Sequence, residues 1–329
     1  MKNIKLERFE QIIDGMAGKK VAVIGDIMLD RYFWGEVTRV SPEAPVPVVD
    51  ITSEDFHLGG AANVASNLKS LGLDTYLCGV LGDDNSGSTF KELTEARKIN
   101  SEGLIEEDGR PTTVKTRVFG NNQQIVRLDR EEKIPIQEST ISRIIEFIKS
   151  IEDLKAIVFE DYDKGMLTPT LIKSIQSYAQ ENGILTFVDP KFKHFFEYSG
   201  ATVFKPNKKE AETALGRPFK GTEEVKRAGV ELKNKLQVKN LLITLGADGM
   251  MLFDEKMGIS SVKTIARTVA DVSGAGDTAI ATMAASMVGG AEVGEAAMLA
   301  NLASGTVCEQ PGIVSIDYIK LKSALKKNR

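Results

Sequence analysis

The stretch DVSGAGDTAIATMAASMVGG, Asp271 to Gly290, joins a glycine turn to an acid and then to a run of small apolar residues. Gly274, Ala275 and Gly276 can turn tightly and expose consecutive backbone N–H groups. The helix that starts near Gly276 points its positive end at the same place. Together they suit a phosphate, or the charge spreading over a phosphoryl group in transfer. Asp277 falls in the first helical turn. It is either a favourable first-turn acid or a base that takes a hydroxyl proton while the phosphoryl group moves. A low pKa does not bar the second role, because the loose transition state needs only a weak, well-placed base.

Other segments carry compatible chemistry. In PNKKEAE, Asn207 and Glu210 stand three apart at a helix start and share a helix face. Their oxygens could face one metal hydration shell, or could simply form a capping box. TLGADGM, Thr244 to Met250, follows a strand and has two glycines, Gly246 and Gly249, with no side chain to block a phosphate. GGAANVASN opens a helix with Gly59 and Gly60 and carries Asn63 and Asn67 one turn apart. Asn63 could hydrogen-bond a sugar hydroxyl; the alternative is close helix–sheet packing. Asp26 and Asp30, at the end of the first strand, fit paired acceptors for sugar hydroxyls, since a carboxylate makes strong charge-assisted bonds.

These residues need a frame. KKVAVIGD, DTYLCGVLG, LKAIVFED, GILTFVD, ATVFKPN and NLLITLG read as buried strands, with helix-periodic segments between most of them. That alternation predicts an α/β fold with a mostly parallel sheet and helices on both faces. Many of the strands end in Gly, Asp or Asn, at the edge where open α/β sheets bind ligands. Two stretches break the alternation. Residues 31–52 are rich in aromatic and β-branched residues, with three prolines. Residues 109–131 alternate like a hairpin, with GNN at the turn. Both read as insertions into one domain spanning 1–329. They form a small β-sheet that covers a site as a lid, pairs with a second copy, or merely extends an edge.

The bulk numbers exclude other classes. A net charge of −4 gives no general pull toward nucleic acid or an anionic membrane. The tail DYIKLKSALKKNR reads as a surface helix with a basic end. No apolar run is long enough to span a bilayer, and the N-terminus lacks a signal-peptide core, so a cytoplasmic protein is expected. Two cysteines, Cys78 and Cys308, and two histidines, His57 and His194, make no conventional zinc site. The cysteines read as reduced packing residues. A nicotinamide-dependent oxidoreductase is disfavoured, because the first strand ends in GDIMLD rather than G-x-G-x-x-G. A non-catalytic sugar sensor would be expected to lose the base or the anion hole, and both stand here.

Taken together, GGAANVA, NKKE and DVSGAGD resemble the signatures of the ribokinase-like carbohydrate kinases, the PfkB family, in order and spacing over roughly Lys19 to Ile316. Val272 stands where that family commonly has Thr. The resemblance implies a three-layer α/β/α sandwich with a small β-sheet lid, using ATP and Mg2+, with K+ as a candidate activator. It assigns Asp277 as the catalytic base, with the backbone N–H groups of Gly274, Ala275 and Gly276 as the anion hole. In the family pattern Asn207 and Glu210 would organise magnesium, through water, together with the ATP phosphates. Thr244, Gly246 and Gly249 would border the nucleotide, with Asn301 beside the adenine. Asp30, Gly59, Gly60 and Asn63 would hold the sugar, and the lid would also form a homodimer contact.

Within that family, GDIMLDRYFWGEVTRVSPEAPVPVV, NNQQIVRLDRE and EDYDKG resemble the branch acting on D-glycero-D-manno-heptose 7-phosphate. That branch makes the 1,7-bisphosphate on the route to ADP-heptose for lipopolysaccharide. The chain is too short for the nucleotidyltransferase domain fused to many such kinases, so the stand-alone form is expected. A kinase of another sugar or of a nucleoside is the nearest alternative. A 7-phosphate needs cations. Arg31, Arg127, Lys164 and Lys191 are the candidates, and Lys164 and Lys191 are preferred because they follow strand ends.

Overall fold

The computed structural model describes residues 4–254, 256, 258–264, 272–310 and 312–327; Asp271, the first residue of the glycine-turn motif, lies outside them. The strands in chain order begin with β1 (Lys20–Gly25), β2 (Ile27–Val40), β3 (Pro47–Gly60), β4 (Asp74–Leu81), β5 (Asn100–Glu106), β6 (Val114–Gly120) and β7 (Gln123–Arg130). They continue with β8 (Leu154–Glu160), β9 (Leu185–Asp189), β10 (Val203–Phe204), β11 (Asn240–Thr244), β12 (Met250–Asp254) and β13 (Gly258–Val262).

The larger sheet has the order β13-β12-β11-β10-β9-β8-β1-β4-β5. It is parallel from β11 to β5, and β12 and β13 add an antiparallel edge. The antiparallel edge is not among the strands read from sequence. Alternation along β1 sorts the core into two layers. Val21 and Val23 pack on one face, with the helices Ala61–Ser70, Ala275–Val288 and Val293–Cys308. Ala22 and Ile24 pack on the other, with the helices Glu138–Ser150, Pro169–Glu181 and Gly221–Leu236. A side-chain period of two along a doubly buried strand requires covering layers on both faces. The fold is therefore a three-layer α/β/α sandwich of the ribokinase-like type, with a small second sheet.

The chain starts in the middle of the large sheet. From β1 it builds outward through β4 and β5, then returns to β8 on the opposite side. The β1/β8 boundary is thus the switch point at which open α/β sheets bind ligands beyond the strands' carboxyl ends. Asp26 follows β1 and Asp161 follows β8, both at that boundary.

The second sheet has the order β3-β2-β6-β7. Its β2–β3 hairpin runs from Ile27 to Gly60, so it begins directly beside β1 and ends at the Ala61 helix. β6 and β7 form a tight hairpin with Gly120 opposite Gln123. Asn121 and Asn122 have φ of 52° and 64°, the conformation that a two-residue turn of this twist requires and that asparagine tolerates. Trp34 and Phe119 stack at 4.5 Å across β2 and β6.

The helix Ala275–Val288 is buried on nearly every side over its first three turns. Alanines allow its backbone to approach the Val293 and Ala61 helices closely, which fixes where its N-terminus points. At the other end of the chain, the helix Tyr318–Lys327 buries Leu321 and Leu325 and ends in Lys326 and Lys327.

Candidate active site

Gly274 caps the Ala275 helix with φ 75°, a left-handed conformation that glycine adopts without steric cost. A Cβ at this position would also lie 2.7 Å from Asn63 Nδ2. The turn therefore needs glycine twice over, for its dihedral and for the approach of the neighbouring helix. The Ala275 N–H donates back to Val272 O at 3.3 Å, within the turn itself. Gly276 faces Asp189 and Lys205; a Cβ there would sit 3.6 Å from each of their charged atoms.

Asp277 is 5% exposed and both its oxygens accept hydrogen bonds. Asn63 Nδ2 donates to Oδ2 at 2.8 Å, and the Tyr162 hydroxyl donates to Oδ1 at 2.8 Å. Burial pushes its pKa above the ordinary value. The Asn63 bond opposes that, Asp189 adds to it, and Tyr162 opposes it again. Asn63 is itself held. Its Oδ1 accepts from Asn67 Nδ2 at 3.2 Å, and Asn67 Oδ1 accepts the Ile316 N–H at 2.9 Å. Asn63 thus sits beside the aspartate with both ends of its amide engaged.

Glu160 and Asp189, the last residues of β8 and β9, bring their carboxylates to Asp277. One oxygen from each of the three lies within 4.8 Å of the others. Lys205 Nζ, almost fully buried, pairs with Asp189 at 2.7 Å. Glu160 Oε2 is buried with no hydrogen-bond partner among the described residues. Burial, and then the charges of Asp189 and Asp277, push the Glu160 pKa well up. An orphan carboxylate oxygen in an all-oxygen cluster fits a hard divalent cation.

Asn207 and Glu210 form a reciprocal capping box. Glu210 N donates to Asn207 Oδ1 at 2.9 Å, and Asn207 N donates to Glu210 Oε2 at 2.8 Å. Lys191 takes the other Glu210 oxygen at 2.5 Å, and its ammonium stands 5.1 Å from the centre of the Tyr162 ring. Burial works against the Lys191 charge, but Asp189 and Glu210 outweigh it and raise its pKa. Lys191 therefore joins the Asn207–Glu210 pair to the Asp277 cluster.

The remaining predicted residues fall in three places. Thr244 bridges to Asn207, which sets the Gly246–Asp248 turn beside the capping box. Gly249 packs on the segment 262–264, and Asn301 Nδ2 donates to Lys263 O of that segment at 2.8 Å. Asp30 lies on β2, near the start of the second sheet, in an ion pair with Arg117 of β6. Gly59 packs so closely on Asp30 that a Cβ would lie 2.2 Å from Oδ2, and Gly60 leads into the Ala61 helix. Lys164 pairs with Glu131 at 2.6 Å, Arg31 with Glu54, and Arg127 with Asp129 at 3.0 Å on the exposed outer strand. Asp26 does not offer a free carboxylate to a sugar. Its two oxygens accept the backbone N–H groups of Tyr162, Lys164 and Met166 at 2.8, 3.1 and 3.2 Å, so it anchors the loop after β8.

Sequence reading passed over Glu160, Asp189, Lys205, Tyr162 and Arg117. The first two were legible as acids ending predicted strands, and Lys205 as the residue after one. Tyr162 and Arg117 had no signal of their own, because a hydroxyl donor and a lid cation are set by distant packing.

The large, mostly parallel sheet with its small second sheet is the fold of the ribokinase-like carbohydrate kinases, and the Gly274-capped helix begins near the edge of that sheet. The chain is similar to phosphofructokinase-2 from Escherichia coli, seen in a crystal structure with potassium, at a TM-score of 0.79 and 19% identity. That match covers 95% of this chain and 100% of the other. It is similar to ribokinase from Arabidopsis thaliana, complexed with ribose and ATP, at a TM-score of 0.73 and 20% identity, over 94% and 99% of the two chains. The chain belongs to the pfkB family of carbohydrate kinases, whose pattern matches residues 18–317. These are phosphotransferases with an alcohol acceptor that use ATP and a divalent cation. The chain is also 42% identical over 308 residues to the "Bifunctional protein HldE" of Desulfatibacillum aliphaticivorans. That alignment covers 93% of this chain and 63% of the relative, so the chain spans less than two thirds of that relative's length.

Proposed function

We propose that the chain transfers the γ-phosphoryl group of ATP to the C1 hydroxyl of D-glycero-β-D-manno-heptose 7-phosphate, in the cytoplasm, for ADP-heptose and lipopolysaccharide core synthesis. The observation that carries the kinase chemistry is Asp277, buried at the positive end of a helix and held by Asn63. The heptose assignment rests on the resemblance that the 31–52, 109–131 and DYDKG segments carry and on relatives such as the "Bifunctional protein HldE".

Asp277 takes the proton as the acceptor oxygen attacks the γ-phosphorus. The positive helix end and the amides of Gly274 and Gly276 stabilise charge on the phosphoryl oxygens; the Ala275 N–H, expected to join them, donates to Val272 O instead. A divalent cation, Mg2+ on this reading, neutralises phosphate charge when bound. Glu210 and Asn207 are its proposed holders, and the Glu160–Asp189 carboxylates offer further oxygen donors. K+ is a candidate activator. Asp30, Gly59, Gly60 and Asn63 face the sugar; Lys164, Lys191 and Arg127 are the proposed cations for its 7-phosphate. Thr244, Gly246, Gly249 and Asn301 border the nucleotide. The lid sheet closes over the sugar and excludes water. It also presents Val126 and Leu128, 41% and 57% exposed, as a homodimer contact.

The test is ADP release with magnesium-ATP over a panel: the heptose 7-phosphate, sedoheptulose 7-phosphate, fructose 6-phosphate, ribose and adenosine. Turnover confined to the heptose phosphate supports the assignment; turnover with an unphosphorylated sugar removes it. Asp277→Asn, run alongside, should keep the fold and lower turnover by about 10²- to 10⁴-fold. Near-normal turnover in that variant rejects the base.

A further inference from the structure

Asp277 has two oxygens, and an acceptor hydroxyl must reach one of them to hand over its proton. Asn63 holds Oδ2. At Oδ1 stands a phenol donor, Tyr162, at 2.8 Å, in the relation to the base that a substrate hydroxyl would adopt.

The backbone beneath this phenol is pinned. Asp26 receives the N–H groups of Tyr162, Lys164 and Met166, and the Asp163 N–H donates to Asp161 Oδ1 at 2.8 Å. The ring is therefore presented from a fixed loop. Lys191, over the ring, tethers it toward the Asn207–Glu210 pair.

We propose that Tyr162 is a specificity-determining residue: its hydroxyl occupies the acceptor position on Asp277 in the absence of sugar and denies that position to water. The inference rests on the kinase reading above. A sugar hydroxyl displaces the phenol because the rest of the sugar is bound by other groups, whereas a water molecule brings no such binding. In the guarded reaction, the sugar O–H bond breaks and its proton passes to Asp277. An O–P bond forms to the γ-phosphorus, and the bond from that phosphorus to the β–γ bridging oxygen breaks, releasing ADP. With water at the same place the identical bond changes give ADP and inorganic phosphate.

The experiment compares the unaltered chain with Tyr162→Phe, and measures ADP release from magnesium-ATP with and without the heptose 7-phosphate. The phenylalanine keeps the ring over Lys191 and removes only the donor. Expected is a rise in sugar-independent ADP release of about tenfold or more, the worth of one hydrogen bond to a charged group. Inorganic phosphate should appear in equal amount. Tyr162→Leu, which also removes the ring, should show the same rise, and thermal melting checks that both variants fold. Sugar-dependent turnover by the unaltered chain, with no extra hydrolysis in folded variants, overturns the shield and leaves the kinase standing. No ADP release from any of the proteins with any sugar overturns the kinase reading, and the shield with it.

Discussion

Asn63 Nδ2 lies 2.8 Å from Asp277 Oδ2, although 214 residues separate the two in the chain. The bond joins the helix after the lid hairpin to the helix after the glycine turn. It also bears on the electrostatics of Asp277. Burial raises the Asp277 pKa, and the Asn63 amide is the strongest influence holding it down. On the proposed reading the base works only when ionised, so turnover should fall as pH drops through that pKa. Asn63→Ala removes the opposing donor. The acid limb of kcat/KM against pH should therefore move to higher pH, with a loss of turnover that alkaline buffer partly restores. A limb that stays in place would separate Asn63 from the base.

Asp161 offers a test of stability rather than turnover. It is buried beside Asp26, and burial pushes its pKa up to about 7, against the opposing Asp163 N–H. A carboxyl whose folded pKa lies above its unfolded value favours the fold when protonated. That contribution is present in full below the unfolded pKa, near 4, and is lost as pH rises through about 7. Melting temperature should fall between about pH 4 and about pH 7 in the unaltered chain. Asp161→Asn, which keeps an acceptor for the Asp163 N–H, should flatten that slope. An unchanged slope assigns it to other groups.

Lys205 and Asp189 form a buried ion pair, with side chains 3% and 10% exposed. Removing the cation leaves Asp189, Glu160 and Asp277 crowded without their nearest countercharge. Lys205→Met should cost about 3–5 kcal/mol of stability, the usual result of breaking a buried pair from one side. The denaturant midpoint should drop with the slope unchanged. Part of the loss should return at lower pH, where one of the carboxyls takes up a proton instead. Stability within about 1 kcal/mol of the parent would show that the cluster does not depend on Lys205 for neutralisation.

The lid carries the fourth prediction. Val126 and Leu128 alternate on one face of β7, the outer strand of a four-stranded sheet, and both are exposed. If this face seats a second copy, Leu128→Glu buries a charge in the contact. Sedimentation should then report a shift from dimer to monomer, with melting of the isolated chain little changed. A parent that sediments as a monomer, or a variant that sediments as a dimer, places the contact elsewhere.

Much of this molecule was legible along the chain. Strand and helix alternation, the turn asparagines of the β6–β7 hairpin, and the glycine turn at Gly274 depend on neighbours a few residues apart. Local sterics and periodicity determine them, so their residue types announce them. The Asn207–Glu210 spacing was equally visible, and its capping geometry follows from a three-residue offset. What only the tertiary structure decided is which distant groups share one low-dielectric space. Asp26 looked like a ligand and is consumed by three backbone N–H groups of a loop more than 130 residues away. Tyr162 had no signal of its own and donates to Asp277. Glu160, Asp189 and Lys205 converge only because β8, β9 and β10 are adjacent in the sheet. Strand order is a global packing outcome that buries both faces of the sheet at once, and no local pattern encodes it.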